Sequence, residues 1–288
     1  SGLITYNVNP AYSHVNAADF AEGVKKLKLS VALSTQNDDT SAITQYSVPT
    51  PHYLESWGDV KVSEGNYGLV QPTIQPLFNS RQLQDVLLKW SGNSTSYYDY
   101  LKAFWASNIL GGQSWNQALH DGVFVKTESN SVTANSVDVA AAASTLVGVT
   151  KPSVMELNLY TSTALGDGKQ ANNPWLQELP DPLTRATWDN YVTMSMADAR
   201  ELGFSNPVQD NGAINGQYAN VTVNGVTLEN IPVMIQPGQA KGSIGLALGY
   251  GRQQNLKDAM IVGVNAYPLY FNANHIQTGV TIEKTSGT

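Results

Sequence analysis

The chain of 288 residues contains no cysteine. This absence excludes disulfide bonds, thiolate-bound zinc and cysteine-ligated iron–sulfur clusters within the sequence. Charged residues are also scarce, at 14%, and the formal net charge is −7. Because a nucleic-acid-binding face needs clustered Lys and Arg side chains to neutralise phosphates, the sequence predicts that nucleic acid is not a partner.

Long apolar runs are missing as well, since no segment approaches the roughly 20 residues that a membrane-spanning helix needs. No signal peptide precedes the β-rich segment LITYNV, and Ser1-Gly2 is typical of a cleaved tag. We therefore expect the chain to be a piece excised from a longer protein. Apolar residues make up 42% of the chain, which is enough to form the cores of two compact units.

The pattern along the chain predicts two domains and a linker. Residues 1–126 form the first domain, an α/β unit, because a β-rich segment, a helix with apolar residues at helical spacing and the apolar run LSVAL follow one another. Residues 127–153 have few charges and many Ser, Thr and Ala, which is typical of a linker. Residues 154–288 form the second domain, predicted as a small β-barrel. Its β-type runs are VMELNLYTST, YVTMS, YANVTVNGVTLENIPVMIQ and MIVGVNAYPLYF, and its one clear helix is SMADARELGF.

Residues with catalytic or metal-binding chemistry do not occur in recognisable motifs. The histidines at positions 14, 52, 120 and 275 lack metal-binding spacing, so we interpret them as isolated residues with structural hydrogen bonds and predict that the chain holds no metal. Glu55, Asp59 and Glu64 lie in one loop-rich segment, where either an acid–base pair or solvated side chains are possible, and the second interpretation is favoured.

The glycine-rich stretch VMIQPGQAKGSIGLALGYGR, residues 233–252, raises the question of a phosphate-binding loop. It lacks the Lys-Ser/Thr pair of a P-loop, and it does not open a helix as a dinucleotide-binding fingerprint does. We predict an architectural role instead. Pro237 and Gly238 would form a turn, Gly242 and Gly245 a backbone bend, and Gly249 and Gly251 a close approach of neighbouring chain segments.

Several segments resemble the molybdopterin oxidoreductase superfamily. In the first half these are the Asn9-Pro10 loop, Thr40, Val48-Pro49 and Leu54-Glu55-x-x-Gly58, and in the second half the stretches NPWLQELPDPLTRATWDNYVTMSMADARELGF and PVMIQPGQAKGSIGLALGYGR. The resemblance implies an α/β plus β fold class. An incomplete Rossmann-like α/β unit would be followed by a six-stranded double-psi β-barrel, similar to the family's molybdopterin-dinucleotide-binding domain.

A narrower resemblance is carried by HYLESWGD, QPTIQPLF, NPWLQELPDP and WDNY, which are similar to the B subunits of bacterial alternative complex III, a quinol-oxidising respiratory complex. It implies a scaffold without a molybdenum cofactor, without catalytic or metal-binding residues in this chain, and at the periplasmic face of the inner membrane. The implied partners are an iron–sulfur domain of the same parent chain and other subunits of the membrane-bound complex.

Two departures from cofactor-binding relatives bear on this choice. Where such relatives carry a Thr-Gly-Arg-like turn, this chain has Thr161-Ser162-Thr163-Ala164. Where they carry Glu-Gly-Arg, this chain has Glu64-Gly65-Asn66. Both changes remove a guanidinium, whose fixed fork of donors suits phosphate oxygens.

Two alternatives to the scaffold stay open. One is a part of an active molybdopterin-dependent oxidoreductase that binds a molybdopterin guanine dinucleotide. The residues that would contact that cofactor are Asn9, Thr161, Ser162 and Asn190. The other is a secreted ligand-binding module, which is supported only by the abundance of neutral polar residues.

Overall fold

The structure is a computed structural model that describes residues 1–126, 136–148 and 155–287. Its chain contacts form two compact units, and each unit is built from separate pieces of the sequence. The first unit comprises Ser1–Val8, Leu27–Gln36 and Thr44–Val137, and the second comprises Asn9–Lys26, Asn37–Ile43 and Asp138–Thr288. The second unit thus takes in two pieces from the stretch predicted as the first domain. The boundaries at residues 126 and 153 stay a prediction, since residues 127–135 and 149–154 lie outside the described residues.

The first unit contains a parallel three-stranded sheet in the order β1-β2-β3, formed by Gly2–Tyr6, Leu29–Ser34 and Tyr46–Pro49. The central strand β2 is buried at five of its six positions, which is typical of a parallel sheet. The chain passes from β1 to β2 through helices α1 (Pro10–Ser13) and α2 (Ala17–Lys25), and from β2 to β3 through α3 (Asp39–Ile43). The predicted strand–helix–strand pattern is therefore confirmed.

A second sheet of the first unit is antiparallel, with strands β4 (Gly58–Ser63), β5 (Asn66–Val70) and β6 (Val123–Val125). Three helices belong to the same unit, α4 (Leu83–Trp90), α5 (Tyr97–Asn108) and α6 (Trp115–Asp121). The unit's own core is rich in aromatic side chains, and the fully buried Trp105 packs edge-on against Trp115 at a ring-centroid distance of 6.0 Å.

The second unit contains a seven-stranded mixed sheet in the order β12-β7-β11-β8-β10-β9-β13. The strands are β7 Glu156–Thr161, β8 Val192–Met194, β9 Tyr218–Val223, β10 Val226–Ile235, β11 Ser243–Leu248, β12 Ile276–Gln277 and β13 Val280–Lys284. Strands β12 and β13 stand at opposite ends of this order, yet only Thr278 and Gly279 separate them in sequence. The sheet is therefore curled into a nearly closed, barrel-like form, and the α/β plus β fold class is confirmed with seven strands rather than six.

Along these strands, apolar residues that form the core of the second unit alternate with residues that face away from it. Leu157 and Leu159 of β7 and Ile244 and Leu246 of β11 are fully buried, whereas the residues between them face the other side of the sheet. The unit also contains α7 (Val139–Gly148), which occupies part of the predicted linker, α8 (Pro174–Gln177) and α9 (Met196–Leu202). Helix α9 is capped at both ends: the Ser195 hydroxyl accepts from the Asp198 N–H, and Gly203 is left-handed.

Two predictions about local structure are wrong. The run MIVGVNAYPLYF contains no strand and instead contributes to three short 3₁₀ helices, Asp258–Met260, Tyr267–Leu269 and Phe271–Ala273. Gly263 has a φ of +73° and Pro268 has no N–H to donate, so neither fits a regular strand. The predicted bend at Gly245 is also absent, since Gly245 lies within β11 in regular register.

No helix in the described ranges combines the length and the apolar content needed to cross a lipid bilayer.

Candidate functional site

Asn9 is the first of the predicted cofactor-binding residues, and its carboxamide is held within the second unit. Its Nδ2 donates to Asp39 Oδ2 at 2.9 Å, and its Oδ1 accepts from the Thr40 backbone N–H and hydroxyl, both at 2.9 Å. Thr40 is fully buried, and its Oγ1 also accepts from the Ala11 N–H at 3.0 Å. Asn9 therefore joins the start of α1 to the start of α3.

Arg252 extends this network and neutralises its carboxylate. The side chain is 3% exposed, and its Nε donates to Asp39 Oδ2 at 3.0 Å. The two terminal nitrogens donate to the carbonyl oxygens of Gly168, at 3.1 Å, and Gln254, at 3.5 Å. Each of the three nitrogens of this guanidinium thus donates to a protein oxygen, and the side chain is buried, so the guanidinium serves the protein's own structure.

Tyr12 lies beside this ion pair. Its ring centroid is 5.8 Å from the Arg252 guanidinium, and its hydroxyl donates to the Tyr250 carbonyl at 2.7 Å. Burial raises the pKa of Tyr12 well above the usual range of a tyrosine, so the hydroxyl remains a donor.

Asn190 is buried, and its carboxamide makes three hydrogen bonds to the backbone. Nδ2 donates to the carbonyls of Ala247 and Val264, and Oδ1 accepts from the Val264 N–H, all at 2.9 Å. These bonds connect the end of β11 to the segment that follows Gly263. The side chain has only one lone pair left for any ligand.

Thr161 and Ser162 end strand β7. Thr161 is exposed, whereas the Ser162 hydroxyl accepts from the Leu165 N–H at 3.3 Å and lies 3.5 Å from the Tyr250 hydroxyl. The structure therefore brings Ser162 and Asn190 to one cavity, which Asn9 and Thr161 do not line. We call it the inner cavity. Its polar lining comprises Tyr160, Ser162, Asp189, Asn190, Tyr191 and Tyr250, together with Asp181 and Thr163.

The inner cavity has a volume of about 20 Å³, which is the size of one water molecule. Asp189 Oδ1 is buried and has no hydrogen-bond partner among the described residues, and burial raises the pKa of this carboxyl above its usual range. Burial raises the tyrosine pKa values of the lining too, so those hydroxyls stay protonated.

The inner cavity does not fit a pterin dinucleotide. It is far smaller than the roughly 300 Å³ at which ligand pockets begin. Its lining contains Asp181 and Asp189 but neither Lys nor Arg, so a diphosphate would face carboxylates without a compensating cation.

The other sequence candidates have structural contacts. Asp59 Oδ2 accepts from Trp105 Nε1 at 2.9 Å, Glu64 pairs with Lys61 at 2.8 Å, and Glu55 accepts from the N–H groups of His52 and Leu77. These carboxylates thus stabilise loops and a core tryptophan. Among the described residues, no group of three or more His, Asp or Glu side chains is arranged to hold a metal ion.

The residues that sequence reasoning missed are Tyr12, Asp39, Asp189 and Arg252. Arg252 follows a Gly-Tyr-Gly turn, which is a local signal that its backbone is tightly packed. Its partner Asp39 is 213 positions away, so no local pattern reveals the pair.

Comparisons with known proteins address the fold. No protein-family model and no curated protein matches the sequence. Among solved structures, acetylene hydratase from Pelobacter acetylenicus is similar, with a TM-score of 0.67 and 12% sequence identity. The match covers 99% of this chain and 44% of that chain, so this protein spans less than half the length of its structural neighbour. At this identity the likeness shows the fold alone, which is similar to that of part of acetylene hydratase.

Proposed function

We propose that this chain is a molybdoenzyme-like domain that has lost its pterin cofactor and acts as a scaffold within a larger protein. The observation that carries the proposal is the internal use of the polar groups that a cofactor would need. The Asn9 and Asn190 carboxamides are bonded to the protein itself, and so is the buried Arg252 guanidinium. A cofactor could recruit these groups only by breaking bonds that stabilise the fold.

We extend the proposal to the parent protein on the strength of the sequence resemblance. The parent is a B subunit of an alternative complex III-like respiratory complex, at the periplasmic face of a bacterial inner membrane. There the domain supports an iron–sulfur domain of the same chain and docks against other subunits. The barrel-like sheet is, in this proposal, a double-psi barrel.

The alternative, a part of an active oxidoreductase that binds a molybdopterin guanine dinucleotide, is favoured by one observation. Thr161 is exposed, and its hydroxyl has no hydrogen bond to the described residues. The hydroxyl of Ser162, next to it, has only long contacts of 3.3 and 3.5 Å.

Metal analysis and nucleotide titration separate the two functions. We expect neither molybdenum nor tungsten in stoichiometric amount, in this chain or in the purified full-length parent, and no calorimetric heat on titration with GDP. About one molybdenum or tungsten per parent chain would overturn the scaffold proposal. So would GDP binding that is lost in the Thr161→Ala/Ser162→Ala double variant but kept in a Thr281→Ala control, because Thr281 is exposed and lines neither cavity.

A further inference from the structure

A second cavity, of about 310 Å³, belongs entirely to the second unit and lies on the outer face of its barrel-like sheet. Asn158 and Tyr160 of β7 line it, and they alternate with the core residues Leu157 and Leu159. Side chains alternate between the faces of a strand, so these two side chains point away from the core. The volume lies within the range of small-ligand pockets. We call it the outer cavity.

The register of three strands builds the floor of the outer cavity. Gly245 of β11 pairs with Asn158 of β7 on one side and with Thr193 of β8 on the other. A Cβ atom at Gly245 would lie 2.7 Å from Thr193 Oγ1 and 3.2 Å from Tyr160 Cε1. The glycine therefore keeps the floor open between two polar side chains.

The walls are held by hydrogen bonds that leave further groups free. Gln239 Nε2 donates to the carbonyls of Thr193 and Ser243, at 3.1 and 2.7 Å. Asp181 Oδ1 accepts from the backbone N–H groups of Leu183 and Thr184, both at 2.9 Å, and from the Thr184 hydroxyl. These bonds fix the 181–184 turn at the rim and engage only one of the two carboxylate oxygens.

The unengaged polar groups of the outer cavity are a carboxylate oxygen, which only accepts, and two hydroxyls and a carboxamide, which can accept as well as donate. The Thr193 side chain is 5% exposed, and its hydroxyl has no hydrogen bond to any described residue. The same holds, within the described ranges, for Asp181 Oδ2, the Tyr160 hydroxyl and the side-chain amide of Gln236. Asp181 is the one ionisable residue besides Tyr160 in the lining, which includes no Lys, Arg or His.

We propose that the outer cavity binds a small organic monocation, a primary ammonium compound, with the ammonium between Asp181, Thr193 and Tyr160. An ammonium has three N–H donors and no acceptor, which matches a carboxylate and two hydroxyl oxygens. A single carboxylate without a basic neighbour disfavours anions, and the net charge of −7 attracts cations. This site is independent of the scaffold function.

Three probes of equal size test the charge preference: n-butylammonium, butan-1-ol and butyrate, titrated into the 288-residue chain at constant ionic strength. We expect butylammonium to bind with a dissociation constant on the order of 1 mM, and the neutral and anionic probes at least about tenfold more weakly. Equal binding of the three probes, or no binding of butylammonium at about 20 mM, would overturn the proposal.

Two variants test the residues. Asp181→Asn keeps an oxygen for the Leu183 and Thr184 N–H groups but removes the charge, and Thr193→Val keeps the shape but removes the hydroxyl. We expect about a tenfold loss of butylammonium affinity in the first variant and about a threefold loss in the second. Glu178→Gln, an exposed carboxylate outside the cavity, is the control and should change nothing. Unchanged affinity in Asp181→Asn, with an unchanged melting temperature, would refute the assignment.

Discussion

At the scale of single residues, whether a polar side chain is free to bind a ligand depends on its hydrogen bonds within the protein, which the sequence does not reveal. Ser162 and Asn190 both line the inner cavity, whereas Asn9 and Thr161 do not, and the cofactor-binding role of all four stays a prediction. The sequence could not show that Asn190 bonds the backbone at both of its polar atoms, because its partners follow 57 and 74 positions later. Nor does any sequence pattern indicate that the carboxylate of the neighbouring Asp189 is buried, with one oxygen unpaired among the described residues.

Asp189 gives a test of this buried site. Its folded-state pKa is raised by burial, so protonation favours the folded state. The associated stability is fully present below the usual aspartate pKa of about 4 and is lost as pH rises through the folded-state pKa. We expect Asp189→Asn to raise the free energy of unfolding at pH 7 by up to about 1 kcal/mol, and the gain to shrink towards pH 4.

Urea denaturation at several pH values measures this effect. Asp210→Asn is a matched control, because Asp210 is exposed and has no ion pair or side-chain hydrogen bond to the described residues. A less stable Asp189→Asn protein at pH 7 would mean that the charged carboxylate stabilises the fold.

At the scale of elements, the sequence predicted the strands and helices whose residues alternate or repeat locally. Strands β9 and β10 follow the apolar alternation, and the Asn224-Gly225 turn between them has positive φ at both residues, as an Asn-Gly hairpin turn requires. The run at residues 260–271 was wrongly predicted as a strand, because its buried apolar residues Met260, Tyr267 and Leu269 lie in 3₁₀ helices. Apolar content alone does not separate these two outcomes.

The glycine-rich stretch is architectural at three of its predicted positions. Gly238 forms the turn between β10 and β11 with a φ of +87°, and Gly249 and Gly251 lie against neighbouring backbone with φ values of +103° and +70°. A Cβ at Gly249 would lie 2.7 Å from the Gly166 carbonyl oxygen, whereas a Cβ at Gly238 would meet nothing within 4 Å.

This contrast predicts different costs for two alanine substitutions. Gly238→Ala adds only backbone strain and should lower the free energy of unfolding by about 1 kcal/mol. Gly249→Ala adds a clash with backbone and should lower it by about 3 kcal/mol. Thermal unfolding with and without added GDP measures both costs, and we expect the same difference in either condition. A Gly249→Ala protein with normal stability but a lost response to GDP would return this stretch to a phosphate-binding role.

At the scale of the molecule, the second unit depends on early residues that the sequence assigns to another domain. The Arg252–Asp39 ion pair connects Asn37–Ile43 to Asp138–Thr288, the piece of chain that contains the barrel-like sheet. The hydrogen bond from Tyr12 to Tyr250 connects Asn9–Lys26 to the same piece. Local patterns place helices α1 to α3 correctly but carry no information on which unit they join.

Removing one member of the ion pair tests this dependence. Arg252→Leu would leave the Asp39 carboxylate, whose side chain is 16% exposed, without its cation, and we expect a loss of about 3 kcal/mol or more in the free energy of unfolding. The double variant Arg252→Leu/Asp39→Asn should recover part of this loss. Chemical denaturation of the four proteins of the cycle provides the measurement, and a double variant no more stable than Arg252→Leu would contradict the pairing.

The discontinuous second unit also sets the order of events on the ribosome. Asp39 leaves the ribosome long before Arg252, which is made 213 residues later, and the amide partner of the Tyr12 carbonyl, Asn265, follows 253 residues after Tyr12. At about 5–20 residues per second, the nascent segment waits roughly 10–40 s for its partner. During that interval Asp39 and Tyr12 stay accessible to water and chaperones, so this unit completes its fold only after Arg252 and Asn265 have left the ribosome.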